Sequence, residues 1–155
     1  MTAGDPRSHR TGSVLVAIQF VLIAVLVAIG GPAFLARQAP AGAWGLAAAG
    51  IGIFLWALWS NRPGNFNIHP APRAGGALVE RGPYRWVRHP MYTAVIACGL
   101  AFAWAGASLW GWLGVAALVA VLAAKARLEE RWMLLAHPEY AAYRTRTGRF
   151  LPGLL

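Results

Sequence analysis

Charge is absent from three long stretches of the chain, Thr11–Ala36, Gln38–Asn61 and Pro90–Ala124. A helix that crosses a bilayer needs about 20 mostly apolar residues, each rising ~1.5 Å. The first two stretches each have the length of one span. The third, 35 residues long, is too long for one span and suits two short helices joined by a turn at Ala105-Gly106-Ala107-Ser108. The pattern predicts an all-α integral membrane protein, one membrane domain over residues 1–155. Its four transmembrane helices fall at about 13–35, 41–60, 90–105 and 108–126, the last two forming a helical hairpin. A loop over 61–89 and a segment over 127–155 flank that hairpin. In the latter, Trp132, Leu134, Leu135, Tyr140 and Tyr143 predict a short interfacial helix interrupted near Pro138.

Composition narrows the class. Hydrophobic residues make up 58% of the chain and charged residues 12%, with a mean hydropathy of +0.50, against roughly 25% charged in a soluble domain. Too few charges remain to cover a water-soluble surface, and so apolar a chain does not stay disordered in solution. Cys98 is the only cysteine, which excludes a disulfide framework. The net charge of +9 belongs at a membrane surface rather than on nucleic acid. Arg7 and Arg10 precede the first span, and Arg62, Arg73, Arg81, Arg85 and Arg88 lie between the second and third. Lys125, Arg127, Arg131, Arg144, Arg146 and Arg149 close the chain, leaving Arg37 alone on the other side. Because cytoplasmic loops collect Lys and Arg, both termini are expected in the cytoplasm.

Other local signals carry less. Arg7 and Arg10 before an apolar run, with Ala39-Pro40-Ala41 behind it, have the form of a cleaved signal peptide, but the run is long and Arg37 precedes the candidate site. Gly45, Ala49 and Gly52 predict close helix packing in the second span. Gly50-Ile51-Gly52 lacks the third glycine and the preceding strand of a dinucleotide fingerprint. His9, His69, His89 and His137 are too dispersed for a helical metal pair, so no metal site is expected.

The chemistry-bearing residues gather in two cytoplasmic clusters. Gly82 to Tyr92 stands at the entry to the third span, and Glu129-Glu130-Arg131 lies just past the fourth. His89 and Lys125 lie about equally far from the turn, so the hairpin brings both clusters to one interface. Pro90 suits the first turn of a helix. That helix start, beside Arg88 and His89, leaves N–H groups and a partial positive charge that suit a carboxylate or phosphate. Arg88, His89 and Tyr92 read equally well as a membrane anchor, a helix cap and a belt aromatic. Glu129 and Glu130 point about 100° apart on a helix. One is placed to hold a cation or a ligand hydroxyl, and the other to pair with an arginine. A plain salt-bridge lattice with Arg127 and Arg131 is the alternative. Tyr84, Trp86, Tyr92 and Trp132 offer aromatic faces to a bound cation, and Arg144, Arg146 and Arg149 face head groups or an anionic substrate.

Taken in order, Gly82-Pro83-Tyr84, Arg88-His89-Pro90-Met91-Tyr92, Glu129-Glu130 and Glu139-Tyr140-x-x-Tyr143 with Arg146 and Pro152 resemble the isoprenylcysteine carboxyl methyltransferase family. These are integral membrane methyltransferases that include phospholipid methyltransferase relatives, and the resemblance, over residues 75–153, is to a bacterial-type member. It implies S-adenosylmethionine bound between the start of the third span and the end of the fourth, under the C-terminal segment. The implied cofactor contacts are Tyr84, Arg88, His89, Pro90, Tyr92 and one of Glu129 and Glu130. Arg146 and Glu130 carry the implied catalytic roles, Arg146 by orienting a carboxylate acceptor, with Arg144 and Arg149 as substitutes. A methyl group would pass by direct displacement to a lipidic or amphiphilic acceptor, a carboxylate or an amine, at the cytoplasmic face of a bacterial inner membrane. Membrane lipids are the expected partners. His89→Ala and Glu130→Ala are each expected to weaken cofactor binding with the fold retained. Two other readings stay open: a reductase-like membrane relative using NADPH, and a non-catalytic assembly protein whose Arg and Glu clusters only anchor helices.

Overall fold

The computed structural model describes residues 6–61 and 78–154; Arg62, His69 and Arg73, with most of the expected 61–89 loop, lie outside the described residues. Within them the chain forms α1 (Pro6–Leu35), α2 (Ala41–Ser60), α3 (Pro90–Ala105), α4 (Leu109–Ala136) and α5 (Tyr140–Arg146), with a 3-10 turn at Gly82–Arg85. α1, from Arg10 onward, α2 and α4 are long and apolar enough to cross a membrane, whereas α3 has 16 residues.

Each boundary near the site has a local cause. Pro90 opens α3 where its missing N–H removes no helical bond. Ser108 caps α4 by accepting from the Trp110 N–H at 3.2 Å. α4 stops at His137 because Pro138 forces the residue before it into extended backbone, φ −134° and ψ 99°. The helix therefore runs on past the expected end near 126, through Glu129 and Glu130. Trp132, Leu134 and Leu135, expected in the interfacial helix, belong to α4, and only Tyr140 and Tyr143 lie on α5. With 28 residues, α4 is about 42 Å long, against a hydrocarbon core of about 30 Å.

Small residues let the helices approach. On α2 the buried positions are Ala43, Gly50 and Ala57, two turns apart. A Cβ on Gly50 would lie 2.6 Å from Cys98 Sγ and 3.0 Å from the Ala94 carbonyl oxygen of α3. Gly30 of α1 crosses α3 more tightly still, since a Cβ there would lie 2.1 Å from the Phe102 carbonyl oxygen. This corrects the expected packing face: Gly45 and Gly52 meet open space and Ala49 is exposed. Composition marks α2 as rich in small residues but does not set its rotation.

Leu26 of α1, Ala103 of α3 and Val115, Leu118 and Leu122 of α4 form the core. Ala103 meets Gly111, Gly99 meets Leu118, and Tyr92 meets Lys125. α3 and α4 thus run antiparallel, which sets the first turn of α3 beside the last third of α4.

Candidate functional site

That antiparallel register brings the two polar clusters together. Arg88 is buried, and its Nε donates to Glu130 Oε1 at 2.9 Å. Its Nη1 donates to the carbonyls of Arg144, at 3.0 Å, and Thr147. His89 sets Nδ1 3.2 Å from Glu129 Oε2 and Nε2 3.3 Å from Glu130 Oε1. The Tyr92 hydroxyl donates to Glu129 Oε1, and the Tyr92 ring stacks on that of His89 at 5.3 Å between centroids. Burial opposes a charge on His89, but hydrogen bonds to both glutamates outweigh it and raise its pKa above the ordinary 6.5.

The C-terminal segment closes the cluster. Gly148 pairs with the strand-like residues before α3: its N–H donates to the Trp86 carbonyl at 2.9 Å and its carbonyl accepts from the Arg88 N–H at 2.8 Å. The His89 N–H donates to the Arg149 carbonyl at 3.1 Å, and Thr93 Oγ1 donates to the Phe150 carbonyl at 2.6 Å. Arg149 then reaches Glu130 with two donors, Nε to Oε1 at 3.2 Å and Nη2 to Oε2 at 3.1 Å. Phe150 packs edge-on against His89, 6.1 Å between centroids. Thr147 is buried, with its hydroxyl on the Tyr143 carbonyl at 2.7 Å.

The two glutamates have different situations. Glu130, with its side chain 4% exposed, is enclosed by Arg88, His89 and Arg149. Glu129, 20% exposed, holds Tyr92 and His89 and is the more accessible of the two. Glu130 pairs with arginines, as expected of one of the two, but its partners are not Arg127 and Arg131 of α4, which are exposed. They come from the α3 entry and the tail.

Of the other expected residues, Pro90 is buried at the head of α3 and Tyr84 sits in the 3-10 turn. Tyr143 donates to the Tyr84 carbonyl at 2.7 Å, and burial, reinforced by Glu129, pushes the Tyr84 phenol up to about 12. The N–H groups of Arg88, His89, Tyr92 and Thr93 are taken by chain carbonyls, so the entry to α3 holds the tail rather than presenting those donors to an anion. Arg146 stands apart from the Glu130 cluster. Its Nη2 pairs with Glu80 Oε2 at 2.6 Å on the surface, beside a cavity of about 590 Å³ also lined by Leu78, His137, Glu139 and Ala142. Arg149 and Phe150 are the residues whose part in the cluster the sequence did not single out. Arg149 was expected to face an anionic substrate rather than Glu130, and Phe150 had no signal beyond lying inside the motif that ends at Pro152.

Over 101 residues the chain is 31% identical to a cobalt-zinc-cadmium resistance protein, CzcN, of Cupriavidus metallidurans, covering 56% of this chain and 41% of that one. Over 89 residues it is 34% identical to an uncharacterised protein of Schizosaccharomyces pombe, covering 52% of this chain and 25% of that one. The chain therefore spans less than half the length of either relative. No solved structure matches it. The phospholipid methyltransferase family matches residues 41–140, from the start of α2 to the first residue of α5, and the chain belongs to that family.

Proposed function

We propose that the protein is an S-adenosylmethionine-dependent methyltransferase of the membrane. It would act at the cytoplasmic face of a bacterial inner membrane on a lipidic or amphiphilic acceptor, a carboxylate or an amine. α1, α2, α3 and α4 would be its four spans, with α3 and α4 as a hairpin and both termini in the cytoplasm. The observation that carries the reading is the meeting of Arg88, His89 and Tyr92 with Glu129 and Glu130 in one cluster under the tail. Membership of a methyltransferase family supports it.

The residues suit the cofactor's chemistry. Its ribose hydroxyls and ammonium need an acceptor, which Glu129 offers. Its sulfonium and adenine suit an aromatic face such as that of Phe150. Its carboxylate suits a basic rim, which Arg149, the more exposed of the two arginines on Glu130, would provide. Bound there, the cofactor supplies an electrophilic methyl group. Charge is largely cancelled in the transfer, so the protein needs no strong acid or base and contributes by positioning and by excluding water. Glu130 holds Arg88, His89 and Arg149 in place around the pocket. Arg146, beside the surface cavity, would orient the polar end of an acceptor whose apolar part stays in lipid.

Calorimetric binding of S-adenosylhomocysteine to the detergent-purified protein, set against NADPH, tests the reading. Binding of the nucleoside thioether alone is expected. Binding of NADPH alone, or of neither, overturns it.

A further inference from the structure

α1 lies outside the segment that matches the family, which begins at residue 41, yet one of its side chains holds a lysine that stands against the site. Gln19 is 7% exposed and accepts a hydrogen bond from Lys125 Nζ of α4 at 2.5 Å. Lys125 is itself only 1% exposed. Its ammonium lies 5.0 Å from the centroid of the Tyr92 ring, within the range of a cation–π contact. Tyr92 in turn donates to Glu129, which follows Lys125 by four residues and so shares its face of α4.

A lysine enclosed in a spanning helix is costly, and such residues are retained for what they hold or move. Lys125 is too deeply enclosed to touch a ligand. Its contacts run instead from α1 on one side to the Tyr92–Glu129 pair on the other. Removing Gln19 would take away the Nζ acceptor, and Nζ would then settle against another one, of which Glu129 is near. Either change would move the Tyr92 ring.

We propose that Gln19 and Lys125 are positioning residues of the cofactor site: Gln19 holds Lys125, Lys125 holds the Tyr92 ring, and the Tyr92 hydroxyl aims Glu129. The proposal rests on the reading of that site as an S-adenosylmethionine pocket and deepens it, because it makes the first helix part of the pocket.

A purely mechanical tie between α1 and α4 would stabilise the bundle without affecting Glu129, and the test separates the two. A ligand-free thermal-denaturation cycle combines Gln19→Met with Glu129→Gln. Losses that depart from additivity are expected, since the two residues are linked through Lys125 and Tyr92. In the binding arm, S-adenosylhomocysteine affinity falls about tenfold in both Gln19→Met and Lys125→Met. Gln19→Glu, which keeps the acceptor, restores it to within about twofold. Additive melting losses, or unchanged affinity in both methionine variants, overturn the proposal. Wild-type protein that binds no S-adenosylhomocysteine overturns the functional reading instead, and the ligand-free cycle then decides the positioning role alone. Should Gln19→Met not fold, Gln19→Asn, which draws the acceptor back while staying polar, serves in the same cycle.

Discussion

His89 Nε2 lies 3.3 Å from Glu130 Oε1, a contact between residues 41 apart in sequence that joins the head of α3 to the last third of α4. The other ring nitrogen faces Glu129 Oε2 at 3.2 Å. A neutral imidazole has one donor and one lone pair, so it would turn a lone pair toward one of two carboxylates. The doubly protonated ring satisfies both.

The pH dependence follows from that geometry. His89 titrates above 6.5 in the folded protein, so its stabilising contribution is complete below pH 6.5 and is lost as the pH rises through the higher folded value. The melting temperature of the wild type should fall over that interval, and His89→Gln should flatten the fall. Equal slopes in the two proteins would show that the imidazolium does not hold the acidic pair.

Glu130 is the hub of a buried ion-pair network, so its removal acts on the fold as well as on binding. Glu130→Ala would leave Arg88 buried without its carboxylate, costing about 3–5 kcal/mol, which corresponds to roughly 6–20 °C in melting temperature. The fold expected to survive this substitution should therefore be less stable, and cofactor affinity is best compared well below the lowered melting temperature. Arg88→Met combined with Glu130→Leu should recover part of the loss, the part that comes from leaving the Arg88 charge buried and unpaired, while His89 and Arg149 still lack their carboxylate. A double variant no more stable than Glu130→Ala would contradict the hub.

Glu129 is the more accessible glutamate, and Glu129→Gln keeps its size while removing its charge. S-adenosylhomocysteine affinity should fall about tenfold or more, with the melting temperature changed by only about 3 °C. Calorimetry on folded, purified protein checks this. Undiminished affinity would move the cofactor away from Glu129.

Arg146 should behave in the opposite way. Its pair with Glu80 is exposed, so Arg146→Gln should alter stability by no more than about 1 kcal/mol and leave S-adenosylhomocysteine affinity within about twofold. Transfer of label from S-adenosylmethionine to membrane lipid extract should drop. A loss of cofactor affinity in this variant would place Arg146 in the wrong half of the site.

What could be read in the sequence was what depends on counting along helices. His89 and the Glu129–Glu130 pair lie at similar distances from the turn at Gly106–Ser108, so their meeting follows from helical rise. The partners of Glu130 could not be counted in the same way. Arg88 and Arg149 are set in place by the parallel pairing of Val87 with Gly148, a contact between distant segments that leaves no periodicity. That is why nearby Arg127 and Arg131 looked the better partners. Gln19 is a single polar position in an apolar run, and nothing in the sequence points from it to Lys125, 106 residues away. The face of α2 was unreadable for a related reason: glycine and alanine occur all round that helix, and only contact with Cys98 and Ala94 selects Gly50.

The length of α4 has a consequence for the host bilayer. Glu129 and Glu130 follow Leu109 by about 30 Å along the helix, level with the edge of an average hydrocarbon core. Lipids with longer acyl chains would draw this acidic pair toward oil, and shorter chains would lift it into water. Hydrophobic mismatch of a few ångströms costs little in energy, yet it would shift the corner where Glu129 is offered. Acyl-chain length in reconstituted vesicles thus becomes a dial on the affinity of the site, with the amino-acid sequence held constant.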